Sequence, residues 1–384
     1  MKFFLIAGEP SGDQLGAALM SGLRVLAPDS RFVGIGGPLM TEQGLSSMFP
    51  MDELSLMGIW EVLPQYRHLK RRIAETAAAV AEQAPDALIT IDSPDFCLRV
   101  ARAARKLNPA LRTIHYVAPS VWAWRPGRAK RMAPVIDHVL ALLPFEPPYM
   151  RQAGMTCDFV GHPVVDMPVG GRDDATLFRE SHGIDSDAPV VLCLPGSRRS
   201  EVGRLAVRFD EALMQFRDRV PEIRVVLPTV PGVAEMVREM TRRWPTEPIV
   251  VENSRDKRAA FAAADLALAA SGTVSLELAA NRIPMVIGYD MAPLSRMLIG
   301  MLLRTDTVTL VNLVSETRSI PEFLGRDCQP GPMAKALQTA LEDMSARKAQ
   351  LDAMDVTMER LGKGGEAPGL RAARSVLQAI TADR

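Results

Sequence analysis

A chain of 384 residues, 47% hydrophobic and 23% charged, is long enough for two domains with separate cores. Lysine plus arginine and aspartate plus glutamate both total 45, so no global charge excess points to nucleic acid, and any charged surface must be local. The four cysteines, Cys97, Cys157, Cys193 and Cys328, form no CxxC or Cys/His cluster and sit in or beside apolar runs, which reads as reduced core thiols of a cytosolic protein. The opening MKFFLIAGEPSGD has one lysine and an apolar run of about five residues, short of the roughly seven to fifteen of a secretory leader. No run reaches the ~18 apolar residues of a spanning helix, so any membrane contact is expected to be peripheral.

The first half alternates strand, turn and helix. Residues 3–7 read as a buried strand, followed by the glycine turn GEPSGD with Ser11, Gly12 and Asp13, then a helix through Leu15, Leu19 and Leu23. Residues 32–35 form a second strand ending in Gly36-Gly37-Pro38. Neither turn matches GxGxxG, so no dinucleotide is expected, and each reads first as a tight turn. Residues 54–72, LSLMGIWEVLPQYRHLKRR, present Met57, Ile59, Trp60, Val62, Leu63, Tyr66 and Leu69 beside Arg67, Lys70, Arg71 and Arg72. That pattern suits a helix at lipid headgroup level, and equally a core helix with a solvated basic end. Residues 73–83 continue as an ordinary amphipathic helix.

Residues 87–91 read as a parallel strand that delivers Asp92 to its carboxyl end, where open α/β sheets hold ligands. Asp92 is there either a general base for an acceptor hydroxyl or a loop-stabilising carboxylate, and Asp95 a helix cap. After the strand 113–117, the loop APSVWAWR brings Trp122, Trp124 and Arg125 ahead of Arg128, Lys130 and Arg131. Rings and cations there could receive a sugar phosphate, and a packed corner with a solvated basic helix has the same composition. Strands follow near 139–142 and 159–160, and MPVGGRDD at 167–174 has the composition of a linker.

The second half repeats the alternation. A strand at 190–194 runs into PGSRRSE, which sets Arg198 beside a helix N-terminus where phosphate charge is welcome. Strands near 224–227 and 249–251 lead to LALAASGTVSLELAA at 266–280, read as strand, tight turn and helix. Ser271, Gly272 and Thr273 suit a diphosphate, and Glu277, one turn further in, suits ribose hydroxyls. An ordinary capped βα turn with Glu277 on a solvated face reads equally well. A strand at 284–287, Tyr289, an amphipathic helix through Leu294, Met297, Leu298 and Met301, and a stretch carrying Asn312 and Glu322 follow. The architecture implied is α/β, with two Rossmann-like domains facing a central cleft. Residues 1–167 form the first, 174–355 the second, and 356–384 comprise terminal helices free to pack back on the first.

Eight stretches carry a resemblance: AGEPSGD, MGIWEVL, IDSPDF, HYVAPSVWAWR, LPFE, FVGHP, LPGSRRSEV and ASGT. In this order they closely resemble the lipid-A-disaccharide synthase family and span nearly the whole chain. The resemblance implies an inverting GT-B glycosyltransferase that needs no metal or other cofactor and acts at the cytoplasmic face of a Gram-negative inner membrane. It implies transfer from UDP-2,3-diacylglucosamine to 2,3-diacylglucosamine 1-phosphate (lipid X), giving the β-1,6-linked disaccharide precursor of lipid A and UDP. On this reading Asp92 is the base for the acceptor 6-hydroxyl, and Arg198, Ser271, Gly272, Thr273, Glu277, Asn312 and Glu322 belong to the UDP side. Ser11, Gly12, Asp13, Trp124, Arg125, Arg128 and Arg131 fall to substrate binding. The stretch with Ile59, Trp60, Leu63, Tyr66, Arg67, Leu69, Lys70, Arg71 and Arg72 becomes the membrane-associating region, with anionic lipids as partners. No nucleic acid is expected, and a homodimer is left open. Pro10, Ala118, Cys97 and Gly325 depart from the family's usual Ala, Ser, Asn and Gln, and Cys97 removes a polar group near Asp92. A UDP-sugar epimerase of the same fold is the alternative, and it would be indifferent to membranes.

Overall fold

The computed structural model describes residues 1–55, 62–123, 127–291 and 305–381, with the backbone alone for residues 55 and 62–66. Ile59, Trp60, Trp124, Arg125, the side chains of Leu63 and Tyr66, and the helix expected around Leu294 to Met301 lie outside the described residues.

The chain divides into two compact units, Met1–Asp166 with Gly364–Arg384, and Met167–Lys363. The break expected at residue 356 falls inside the helix Met344–Arg360, which packs on the helices Val274–Ala280 and Leu310–Ser315 of the second unit. Only the helix Pro368–Thr381 returns to the first unit, where it lies against the helix Pro10–Leu26.

The first unit is built on β1 (Lys2–Ala7), β2 (Arg31–Ile35), β3 (Ser46–Ser47), β4 (Ala87–Ile91), β5 (Thr113–Tyr116), β6 (His138–Ala141) and β7 (Thr156–Phe159). They form one sheet in the order β3-β2-β1-β4-β5-β6-β7, every pair parallel. Both faces are covered, which is why the strands are continuously apolar rather than alternating. Phe4 and Ile6 pack with Val80, Phe96 and Val100 on one side. Phe3, Leu5 and Ala7 pack with Leu19, Leu23, Ala372 and Val376 on the other.

The second unit carries β8 (Val190–Leu194), β9 (Arg224–Pro228), β10 (Ile249–Val251), β11 (Leu266–Ala270), β12 (Met285–Tyr289) and β13 (Glu322–Leu324) in the order β10-β9-β8-β11-β12-β13, again all parallel. Each sheet therefore reverses its winding once. The chain moves outward from β1 to β3 and then returns to lay β4 beside β1, and likewise from β8 to β10 before β11 returns beside β8. The helices following the two central strands leave on opposite faces at such a point and open a crevice at the carboxyl edge. Asp92 follows β4 and Ser271 follows β11, so each stands at the reversal of its own sheet.

Candidate active site

The register of the first sheet aligns Ala7 with Ile91 and Ile91 with Tyr116, which brings Gly8, Asp92 and Val117 side by side at the carboxyl edge. The backbone there is left-handed at residues that resist it, with φ of 50° at Asp92, 42° at Ser93 and 85° at Val117. Such conformations cost on the order of 1–3 kcal/mol each and persist only where neighbours enforce them. Two hydrogen bonds do so, from Asp92 N to Tyr116 O at 3.0 Å and from Val117 N to Leu140 O at 3.0 Å. The Ser93 carbonyl accepts from Phe96 N and Cys97 N and so starts the helix Pro94–Leu107, with Asp95 in its first turn. A Cβ at Gly8 would lie 2.6 Å from Ser93 Oγ, so the glycine of the first turn makes room for the second. Asp92 itself is half-buried, and its Cα is fixed at the sheet edge by the backbone bond to Tyr116. Cys97 is fully buried near it, its thiol pushed up by burial and by the Asp92 charge, and offers no strong hydrogen-bonding group.

The other first-unit candidates separate into two kinds. Ser11 is exposed, but Gly12 and Asp13 are buried in the helix Pro10–Leu26. The Asp13 carboxylate accepts from Gly37 N at 2.8 Å, Met40 N at 3.0 Å and Leu39 N at 2.9 Å, so both oxygens close the start of the helix Pro38–Glu42. Its carboxylate is committed to the fold. Arg128 is half-buried and Arg131 exposed on the helix Gly127–Met132.

One acidic group of this edge was not singled out from the sequence. Glu146 is 4% exposed, accepts from Leu143 N at 3.0 Å and from Trp122 Nε1 at 3.4 Å, and is pushed up to about 7 by burial. Trp122 meets Phe145 edge to face at 5.2 Å. The LPFE motif therefore anchors the tryptophan loop. Its signal was an acid set between Phe145 and Pro147 in an otherwise apolar run, a place where a carboxylate is buried only with donors.

The helix Val62–Gln83 sorts the basic stretch by face. Arg67, Lys70 and Arg71 are exposed, while Leu69 packs with Ile73 against the core. Arg72 turns inward: it donates to both oxygens of Glu53 at 2.8 and 2.9 Å, to Glu75 at 3.0 Å, and lies 4.3 Å from the Phe49 ring centroid. Leu69 and Arg72 are therefore fold residues, contrary to the expectation of a lipid-facing role for the whole stretch. A helix has two faces, and the composition of the stretch does not say which residues share one.

In the second unit a cavity of about 190 Å³ opens at the β8/β11 reversal. Its walls are Gly196, Ser197 and Glu201 after β8, Pro228 to Val230 after β9, Lys257, and the turn Ser271-Gly272-Thr273 with Glu277. Gly272 has φ 153°, and a Cβ there would meet nothing within 4 Å, so this backbone faces open space. Ser271 Oγ donates to Val308 O at 3.4 Å, and Ser275 Oγ to Gly272 O at 2.9 Å. Glu277 accepts from Lys257 Nζ at 2.6 Å, and the sequence reading did not include this lysine. Arg198 stands at the rim as the residue preceding the helix Arg199–Arg217, its side chain 78% exposed and paired to Glu201 at 3.0 Å.

Asn312 and Glu322 do not line this cavity and have a different role, behind the segment 307–309 beside it. Glu322 Oε2 accepts from Val308 N, Thr309 N and Thr309 Oγ1, and Asn312 both donates to Ile320 O and accepts from Ile320 N. Asn312 is fully buried. The two residues shape the segment whose Val308 carbonyl holds the Ser271 hydroxyl.

A family model described as lipid-A-disaccharide synthetase matches residues 3–368. The lipid-A-disaccharide synthase of Ruegeria pomeroyi is 58% identical over 388 residues, covering 99% of this chain and 96% of that protein. Among solved structures, Anabaena HepE in complex with UDP-glucose has a TM-score of 0.61 at 14% identity, covering 99% of each chain. A putative UDP-N-acetylglucosamine 2-epimerase from Listeria monocytogenes has a TM-score of 0.65 at 14% identity, covering 100% of this chain and 96% of that one. Likeness at these identities is likeness of fold, the GT-B class with its two parallel α/β sheets. The family match runs over nearly the whole chain and more than half the residues are shared with a named synthase, so the chain belongs to the lipid-A-disaccharide synthetase family of glycosyltransferases.

Proposed function

We propose that the chain joins the 2,3-diacylglucosaminyl group of its UDP donor to the 6-hydroxyl of 2,3-diacylglucosamine 1-phosphate. Asp92 takes the proton of that hydroxyl as its oxygen attacks the anomeric carbon. The bond from that carbon to the diphosphate oxygen breaks, UDP leaves with the electron pair, and the anomeric centre inverts. Ser271 and Thr273, the backbone around Gly272 and the cation of Arg198 take up the charge that develops on the leaving diphosphate, and Glu277 accepts from the ribose. Trp124, Arg125, Arg128 and Arg131 remain assigned to the acceptor side, and no metal is required. The single observation that carries this reading is the position of Asp92, half-buried at a sheet reversal on a left-handed backbone pinned by the Tyr116 carbonyl. An epimerase is disfavoured because family membership, not the shared fold, carries chemistry.

The protein works on acylated sugars from the membrane surface. Among the described residues no helix is long and apolar enough to cross a bilayer, and Arg67, Lys70 and Arg71 form an exposed basic face suited to anionic lipid. The exposed part of residues 54–72 supplies the contact, at the cytoplasmic face of the inner membrane.

UDP release is measured with both acylated glucosamine substrates in detergent, with chelator, for the wild type and Asp92→Asn. Turnover that needs both lipids, survives the chelator and falls by at least about a hundredfold in the variant is expected. Turnover with the UDP-sugar alone, or full activity in Asp92→Asn, overturns it.

A further inference from the structure

Lys257 is the one basic residue lining the second-unit cavity among the described residues, and nothing in the family motifs assigns it. It comes from the helix Ser254–Ala263, which follows β10, whereas its partner Glu277 comes from the helix Val274–Ala280, which follows β11. Their contact is 2.6 Å, and the side chains are 37% and 24% exposed, so both reach the cavity while holding each other. The Lys257 ammonium also lies 5.4 Å from the Phe261 ring centroid, a contact on its own helix that limits where the cation can move. The pair thus ties together two elements that enter the cavity from different strands.

We propose that Lys257 is a positioning residue that sets ribose specificity: it holds the Glu277 carboxylate in place as an acceptor for the vicinal ribose hydroxyls of a nucleoside diphosphate. A glutamate on a partly exposed helix has three rotatable bonds. Ordering it at the moment of binding costs about as much as one hydrogen bond to a charged group returns. Fixed beforehand by a charge-assisted bond to one oxygen, Glu277 keeps that return, and the ribose 2′-hydroxyl adds to affinity. This rests on the reading of the cavity as the UDP site.

The test is direct binding of UDP, 2′-deoxy-UDP and uridine by calorimetry to the full chain and to Lys257→Met, Lys257→Arg and Glu277→Gln, each checked for an unchanged melting temperature. Wild type is expected to prefer UDP over 2′-deoxy-UDP by about tenfold, the worth of one hydrogen bond to a charged acceptor. Lys257→Met is expected to bring that ratio below about threefold, as Glu277→Gln does, and Lys257→Arg to keep it. An unchanged ratio in Lys257→Met overturns the assignment. So does an equal loss for both diphosphates with uridine unaffected, because the lysine would then act on the diphosphate directly. Should Lys257→Met not fold, Lys257→Gln carries the same comparison. Failure of the wild type to bind UDP at all would instead remove the reading of the cavity itself.

Discussion

Gly22 and Gly369 meet where the helix Pro10–Leu26 crosses the helix Pro368–Thr381: a Cβ on Gly22 would lie 2.5 Å from the Gly369 carbonyl oxygen. The reciprocal Cβ on Gly369 would lie 2.6 Å from Ala18 O. The terminal helix therefore packs backbone to backbone on the first helix, and its seat is completed by the Ser375 hydroxyl, which donates to Asp158 at 2.8 Å and lies 2.8 Å from His138 Nε2. Alanine at Gly22 gains roughly 1 kcal/mol of helix propensity, but crowding a rigid carbonyl costs about 1–3 kcal/mol. Gly22→Ala is expected to lower the melting temperature by about 2–4 °C in a thermal scan. A rise would mean that the two helices separate without cost.

Asp13 separates a fold role from a substrate role. Asp13→Ala leaves three backbone N–H groups without their acceptor, and a loss of about 3 kcal/mol is expected in urea unfolding, with Asp13→Asn milder. Activity per folded molecule should stay within about threefold of wild type. A collapse of kcat/KM at unchanged stability would return Asp13 to the substrate.

Glu146 predicts a pH dependence. Burial holds its carboxyl up to about 7 against 4.5 in the unfolded chain, so the folded state binds the extra proton. Its contribution is complete below pH 4.5 and is lost as pH rises through 7. Glu146→Gln cannot lose that proton, and its stability relative to wild type should rise by roughly 3 kcal/mol between pH 4.5 and pH 8. The amide faces Trp122 Nε1 less well than the carboxyl does, which offsets the whole curve; the slope is the readout. Parallel curves for the two proteins would show that Glu146 titrates normally.

The basic stretch divides by experiment as it does by face. Lys70→Glu with Arg71→Glu should weaken sedimentation with phosphatidylglycerol vesicles by at least about thirtyfold, near 1 kcal/mol for each of the two cations removed, and leave the melting temperature within about 2 °C. Arg72→Ala should do the reverse, because it leaves Glu53 with only His68 and removes cover from Phe49. Vesicle binding that follows Arg72 rather than Lys70 and Arg71 would invert the assignment.

Glu322 tests the indirect route to Ser271. Thr309→Val removes the hydroxyl bonded to Glu322 at 2.7 Å and should raise KM for the UDP-sugar several-fold with kcat little changed. A fall in kcat alone would set the 307–309 segment in the transition state rather than in binding.

Parallel strands buried on both faces are apolar throughout, and glycine, serine and aspartate cluster where such strands end. The alternation of the two halves, the strand carrying Asp92 and the SGT turn were therefore legible in residue order. What a long run of motifs adds is family, and with it chemistry. Side-chain commitment was not legible in the same way. Asp13 and Glu322 look like available carboxylates in one dimension, yet their partners are Gly37, Leu39 and Met40 for the first and Val308 and Thr309 for the second, brought to them only when the elements assemble.

The sequence by itself determined two parallel α/β units, the residues that end their strands and the family to which they belong, because those follow from local periodicity and from motifs read in order. Tertiary structure alone decided that β4 returns beside β1 and β11 beside β8, which puts Asp92 and Ser271 at crevices. It alone turned Arg72 inward and Arg71 outward, buried Glu146 under Trp122, and set Lys257 against Glu277. The physical reason is that a side chain's surroundings are contributed mostly by residues distant in the chain, and no local pattern encodes which of those will supply the charge or the hydrogen bond.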